Sequence, residues 1–131
     1  MIQQKVPDKK NAISIIQSAK KDMDFTLTLE INDLSASTII RNIYECFRML
    51  GEALLMIKGF KSKDHIEPIN ELLKVQVNTS RPIALIDNLR KTRHNINYYG
   101  YSPKKEEAED AVSLAKNCFE PLFNEVKKKA N

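Results

Sequence analysis

The chain predicts an all-α fold, an antiparallel up-and-down bundle of four to five helices forming one domain over residues 1–131. Three observations predict it. Every long apolar pattern repeats with the helical period, and no segment alternates convincingly at period two, so no sheet is expected. Only three Gly and five Pro punctuate the chain, as a few long helices require. With 42% apolar and 29% charged residues, the composition is globular rather than disordered, and the length supports one continuous core.

The first helix opens at Pro7-Asp8-Lys9-Lys10, with Pro7 tolerated in its first turn. Ile13, Ile16, Met23 and Leu27 then recur on one face, and the β-branched Thr26, Thr28 and Ile31 leave its end open. The loop Asn32–Ser37 offers several N-caps for the second helix. There Ile39, Ile40, Ile43, Phe47, Leu50, Leu54 and Ile57 trace a broad apolar stripe ending at Gly59, a C-cap residue. Ser62 or Asp64 caps a short third helix carrying Ile66, Ile69, Leu72 and Leu73 and open to extension as far as Val75, with Pro68 in its first turn or marking a delayed start.

Thr79 or Ser80 is the expected cap of the fourth helix, whose inner face is Ile83, Ile86, Leu89 and Ile96, and Gly100 ends it. Ser102-Pro103 restarts the chain with a capping serine and an early proline. The last helix turns Ala108, Ala111, Val112, Ala115, Phe119, Leu122, Phe123 and Val126 inward, and Pro121 should bend it or split off its final turns. Lys127, Lys128 and Lys129 suit the negative end of a helix dipole.

Charge and cysteines constrain function loosely. A net charge of +4 permits a nucleic-acid or acidic partner without requiring one. Cys46 and Cys118 sit in apolar helical patterns, with no disulfide framework, metal-binding pair or signal peptide, so a reducing cytoplasm is expected. The apolar stretches are interrupted by charge, so no membrane span is expected, and no cofactor motif is present.

The chemistry concentrates in Leu89–Tyr101, which holds Arg90, Arg93, His94, Asn95, Asn97, Tyr98, Tyr99 and Tyr101 around one helix end. These side chains donate directional hydrogen bonds, a set suited to phosphate or nucleotide. Simpler readings compete. Arg90 and Arg93 can pair with Glu107 or Asp110 of the last helix, and a lone His94 can be an exposed or capping residue. The tyrosines can be half-buried anchors or the centre of a dimer interface.

Three segments taken in order resemble the HEPN superfamily of small helical-bundle proteins. They are the junction Ala53–His65, the segment Leu89-Arg90…Arg93-His94…Tyr98-Tyr99-Gly100, and Glu106-Glu107-Ala108 feeding the closing helix. The resemblance covers most of the chain and places His65 in the turn between the second and third helices. It implies a homodimer with the motif helices at the subunit interface. It also implies a metal-independent ribonuclease, or a toxin–antitoxin partner of a small nucleotidyltransferase.

The family motif is an Arg followed, after four to six residues, by a His. Counted from Arg93, those positions hold Tyr98, Tyr99 and Gly100, and His94 follows Arg90 with only three residues between. The motif is therefore degenerate. Metal-free RNA cleavage needs a base, an acid and a cation at the phosphate, and Tyr, with a reference pKa near 10, is a poor base.

Two functions follow from this. One is a homodimeric module binding nucleic acid or a nucleotide through Arg90, Arg93, Asn97 and Tyr98, within a toxin–antitoxin or defence system. The other is an active ribonuclease using Arg93 with His94 or Tyr98. Arg93 and Asn97 fall on one helical face, whereas Tyr98 lies about 140° round from Arg93. Tyr98 can share a cleft with Arg93 only if the helix loosens before Gly100 or a second subunit supplies the facing residue.

Overall fold

The computed structural model describes residues 2–4, 6–64 and 66–131, with side chains from residue 6 onward, so His65 lies outside the described residues. Helix α1 (Lys9–Thr26) starts at Asp8, whose carboxylate accepts the Asn11 N–H at 3.0 Å. Pro7 precedes that cap rather than joining the first turn. The Asp8 N–H donates to the Met56 carbonyl, which ties the start of α1 to the end of α2 (Ala36–Lys58) and sets the two antiparallel. In the loop between them, the Asn32 side-chain oxygen accepts the N–H groups of Leu34 and Ser35.

Helix α2 is the axis of the bundle. It packs against α1, α3 (Ile66–Leu72), α4 (Ile86–Tyr99) and α5 (Lys105–Ala130). Its apolar stripe is buried from Ile39 through Leu54, and Gly59 ends it in the left-handed conformation (φ 84°), where a residue with a Cβ would be strained. Phe47 meets Phe119 of α5 edge-on, with ring centroids 5.8 Å apart. The start of α5 meets Asp33 just ahead of α2, and Asn97 near the end of α4 meets Arg41 near the start of α2. Thus α2 and α5 run the same way, and α1 and α4 run against them. The expected all-α bundle is what forms.

The structure departs from the sequence expectation in five further local features. A two-stranded antiparallel ribbon, β1 (Ile2–Gln4) on β2 (Phe60–Ser62), flanks the end of α2 where no strand was expected. Three residues per strand are too few to establish a period of two. Neither Thr79 nor Ser80 caps α4. Instead Pro82 leads into a single 3₁₀ turn, Ile83–Leu85, out of which α4 grows, and the Thr79 hydroxyl donates to the Arg81 carbonyl.

Similarly, Ser102 does not cap α5. The Asp33 carboxylate, from the α1–α2 loop, accepts the Lys105 N–H at 2.8 Å, and Glu107 accepts that of Lys104. Pro121 does not split α5, which is helical without interruption from Lys105 to Ala130. A mid-helix proline costs about 3 kcal/mol. Burying Phe119, Leu122, Phe123 and Val126 on both sides of it offsets that, at roughly 1.5–3 kcal/mol for each large side chain. Finally, Ile66 is exposed and Pro68 is buried in its place, alongside the expected Ile69 and Leu72. Asp64 is its cap, accepting the N–H groups of Ile66 and Glu67 at 3.0 Å each.

Gly51 sets the distance between α2 and α3. A Cβ built there would overlap the backbone carbonyl of Pro68, which has no flexible side chain to swing away. Gly51→Ala gains about 1 kcal/mol of helix propensity but overpacks this contact by about 1–3 kcal/mol. The expected outcome is a lower urea midpoint than wild type, and a higher midpoint would show that α3 is not fixed here.

Candidate functional site

Helix α4 carries its chemistry in three lengthwise strips. Ile86, Leu89 and Ile96 form the buried strip against α2. Stepping about 100° per residue puts Arg90, Arg93 and Asn97 along one flank of that strip and His94 with Tyr98 further round. Asn88 and Thr92 lie on the opposite flank.

The arginine flank faces a matching row on α2. There Arg41, Tyr44 and Arg48, spaced three and four residues apart, share one face. The Arg93 guanidinium sits over the Tyr44 ring, 5.9 Å from its centroid. One turn on, Arg41 Nη1 donates to Asn97 Oδ1 at 3.3 Å, closing the seam toward Gly100. Gly100 (φ 64°) ends α4 in the left-handed conformation.

The four arginines are not equivalent. Arg48 donates to both carboxylate oxygens of Glu45 and lies 3.3 Å from Glu52. Arg90 Nε donates to Asp87 at 2.8 Å, and that bond holds the Asp87 carboxyl below its usual range. Both cations are therefore neutralised within the chain. Among the described residues, no carboxylate pairs with Arg41 or with the half-buried Arg93. Tyr44 is 1% exposed, and burial pushes its hydroxyl up to about 12, against the opposing pull of Arg48, Arg93 and Arg90.

The sequence-predicted residues divide accordingly. Arg90, Arg93 and Asn97 are brought together; His94 and Tyr98 are not. The expected loosening before Gly100 does not occur, because α4 stays helical through Tyr99 and leaves Tyr98 at 67% exposure, on another strip from Arg93. His94 turns outward and contacts the rings of Tyr98 and Tyr99, at centroid distances of 4.7 and 5.7 Å. The pairing of Arg90 or Arg93 with Glu107 or Asp110 is also absent. Arg90 takes Asp87, Arg81 takes Asp110 at 3.0 Å, and the Tyr101 hydroxyl donates to Glu107.

Sequence reasoning missed Arg41, Tyr44 and Arg48, since α2 was read for its apolar stripe. The available signal was their own helical spacing, three and four residues apart, beside that stripe. Compared with protein families, curated proteins and solved structures, the chain finds no match.

The buried Tyr44 makes the seam sensitive to alkali. Its hydroxyl ionises near 10.0 when exposed and near 12 when folded, so its burial stabilises the fold fully below pH 10. That contribution is lost as pH rises through about 12. Thermal melts between these limits should show wild type losing stability faster than Tyr44→Phe. Parallel losses would place Tyr44 in water.

Proposed function

We propose that the chain is a HEPN-like homodimeric module that binds single-stranded nucleic acid or a nucleotide through α4, with a degenerate Arg-His motif. The observation that carries this reading is Arg93. It is half-buried and held over the Tyr44 ring, with no carboxylate partner among the described residues, beside the similarly unpaired Arg41. A cation held this way keeps its hydrogen-bonding fork available to a phosphate.

Each residue then has a role. Arg93 and Arg41 contact phosphate, Asn97 positions Arg41 and offers its amide, and Arg90, neutralised by Asp87, lines the same flank. Beside this seam, the exposed rings of His94, Tyr98 and Tyr99 offer faces on which bases can stack. The proposed partners are a second copy of the chain and, in a toxin–antitoxin or defence setting, a small nucleotidyltransferase.

The ribonuclease alternative has less support. It needs a base near the phosphate held by Arg93, whereas His94 and Tyr98 project about 100° and 140° away from it. A second subunit would have to supply the missing group.

Fluorescence anisotropy with a labelled oligouridylate of about 12 nucleotides tests the reading. Wild type should bind, Arg93→Ala should weaken binding at least about tenfold, and the salt slope should fall by about 0.7, one phosphate contact. Tyr98→Ala should cost about 1–3 kcal/mol, one stacked base. Unchanged binding in Arg93→Ala would overturn the proposal, as would chelator-resistant cleavage abolished by His94→Ala. Light scattering should give twice the 15.0 kDa chain mass, and a monomer at high micromolar concentration would contradict the dimer.

A further inference from the structure

The flank of α4 away from the arginines borders a slot that the proposed function does not use. Helices α4 and α5 both pack on α2 but not closely on each other, and a half-open groove of about 290 Å³ remains between them. Its floor is apolar, made by Ile40 of α2, Leu89 of α4 and Leu114 of α5. Ala111 keeps the α5 wall low, while Asn88 and Thr92 form the α4 wall. Arg81 closes one end through its ion pair with Asp110. The walls run from Leu85 to Thr92, about two helical turns or 10 Å.

The rim of this groove is acidic on a chain of net charge +4. Glu106, Glu107 and Asp110 stand along its α5 edge. Glu107 is engaged by Tyr101 and Asp110 by Arg81, but among the described residues no cation pairs with Glu106. On α4, Lys91 lies 3.8 Å from Asp87, so its charge is engaged on its own helix. An apolar floor two turns long beneath a carboxylate rim matches an amphipathic helix with Leu or Ile anchors four residues apart and Lys or Arg beside them.

A second copy of this chain is a poorer occupant. A two-fold axis through the groove would set each acidic rim against its own mate. We propose that the α4–α5 groove docks a basic amphipathic helix from a different protein, independently of the arginine seam.

The test uses a labelled synthetic helical peptide of about four turns, with Leu every third or fourth residue and Lys on both flanks. A control peptide carries Glu in place of each Lys. Anisotropy should show binding of the Lys peptide alone, weakened about tenfold, or 1.4 kcal/mol, by Glu106→Lys and abolished by Thr92→Trp, which fills the groove from its exposed wall. Circular dichroism should show both variants folded, and Arg93→Ala should bind the peptide as wild type does. Failure of the Lys peptide to bind, equal binding of the Glu peptide, or indifference to both groove variants would overturn the proposal. If Thr92→Trp instead halves the mass seen by light scattering, the occupant is a second copy, which also overturns it.

Discussion

The burial of α2 on nearly every side is the constraint from which the rest of this structure follows, because each other helix has to find an apolar strip that fits it. Ile39, Ile43, Phe47, Leu50 and Leu54 are almost wholly covered, and Tyr44 is carried inside with them. Helix α4 brings little apolar surface of its own. Ile86, Leu89 and Ile96 are its buried residues, so its attachment depends on setting that strip against α2. Once the strip is seated, helical geometry leaves no choice about the rest. Arg90, Arg93 and Asn97 lie over the row Arg41, Tyr44, Arg48, and His94 and Tyr98 turn outward.

Within that arrangement the informative contrast is between paired and unpaired cations. Arg48 and Arg90 have carboxylates three residues away on their own helices, a pairing that stabilises a helix surface by a few tenths of a kcal/mol and leaves little charge to offer. Arg93 has an aromatic face instead. A cation over a tyrosine ring gains about 0.5–1 kcal/mol when exposed and up to roughly 2 when desolvated. That contact orients the guanidinium without neutralising it. A phosphate oxygen arriving at the seam would supply the missing counter-charge, and on that ground Arg93 is the focus of the proposed site.

The helical scaffold was legible because it depends on local periodicity and on two glycines. The stripe from Ile39 to Leu54 and the left-handed Gly59 and Gly100 could be read directly from residue spacing. Features that depend on partners distant in sequence could not. The Lys105 amide is capped by Asp33, 72 residues earlier, and β1 finds β2 across two helices. In the candidate site, Arg93 and Asn97 were legible as one helical face. Tyr44 and Arg41 lie on a helix whose broad apolar stripe draws the reading, and only tertiary packing shows that they face α4. The α4–α5 groove is likewise a matter of which helices do not touch.

Arginine side-chain NMR during titration with a single-stranded oligouridylate tests the central claim most directly. Each Nε–Hε group reports separately, so paired and unpaired cations can be told apart in one experiment. The Arg93 and Arg41 signals should shift with added oligonucleotide, while Arg48, held by Glu45 and Glu52, should stay in place. Oligonucleotide binding that leaves the Arg93 and Arg41 signals unmoved would contradict the account, because the nucleic acid would then be held elsewhere than at the seam between α2 and α4.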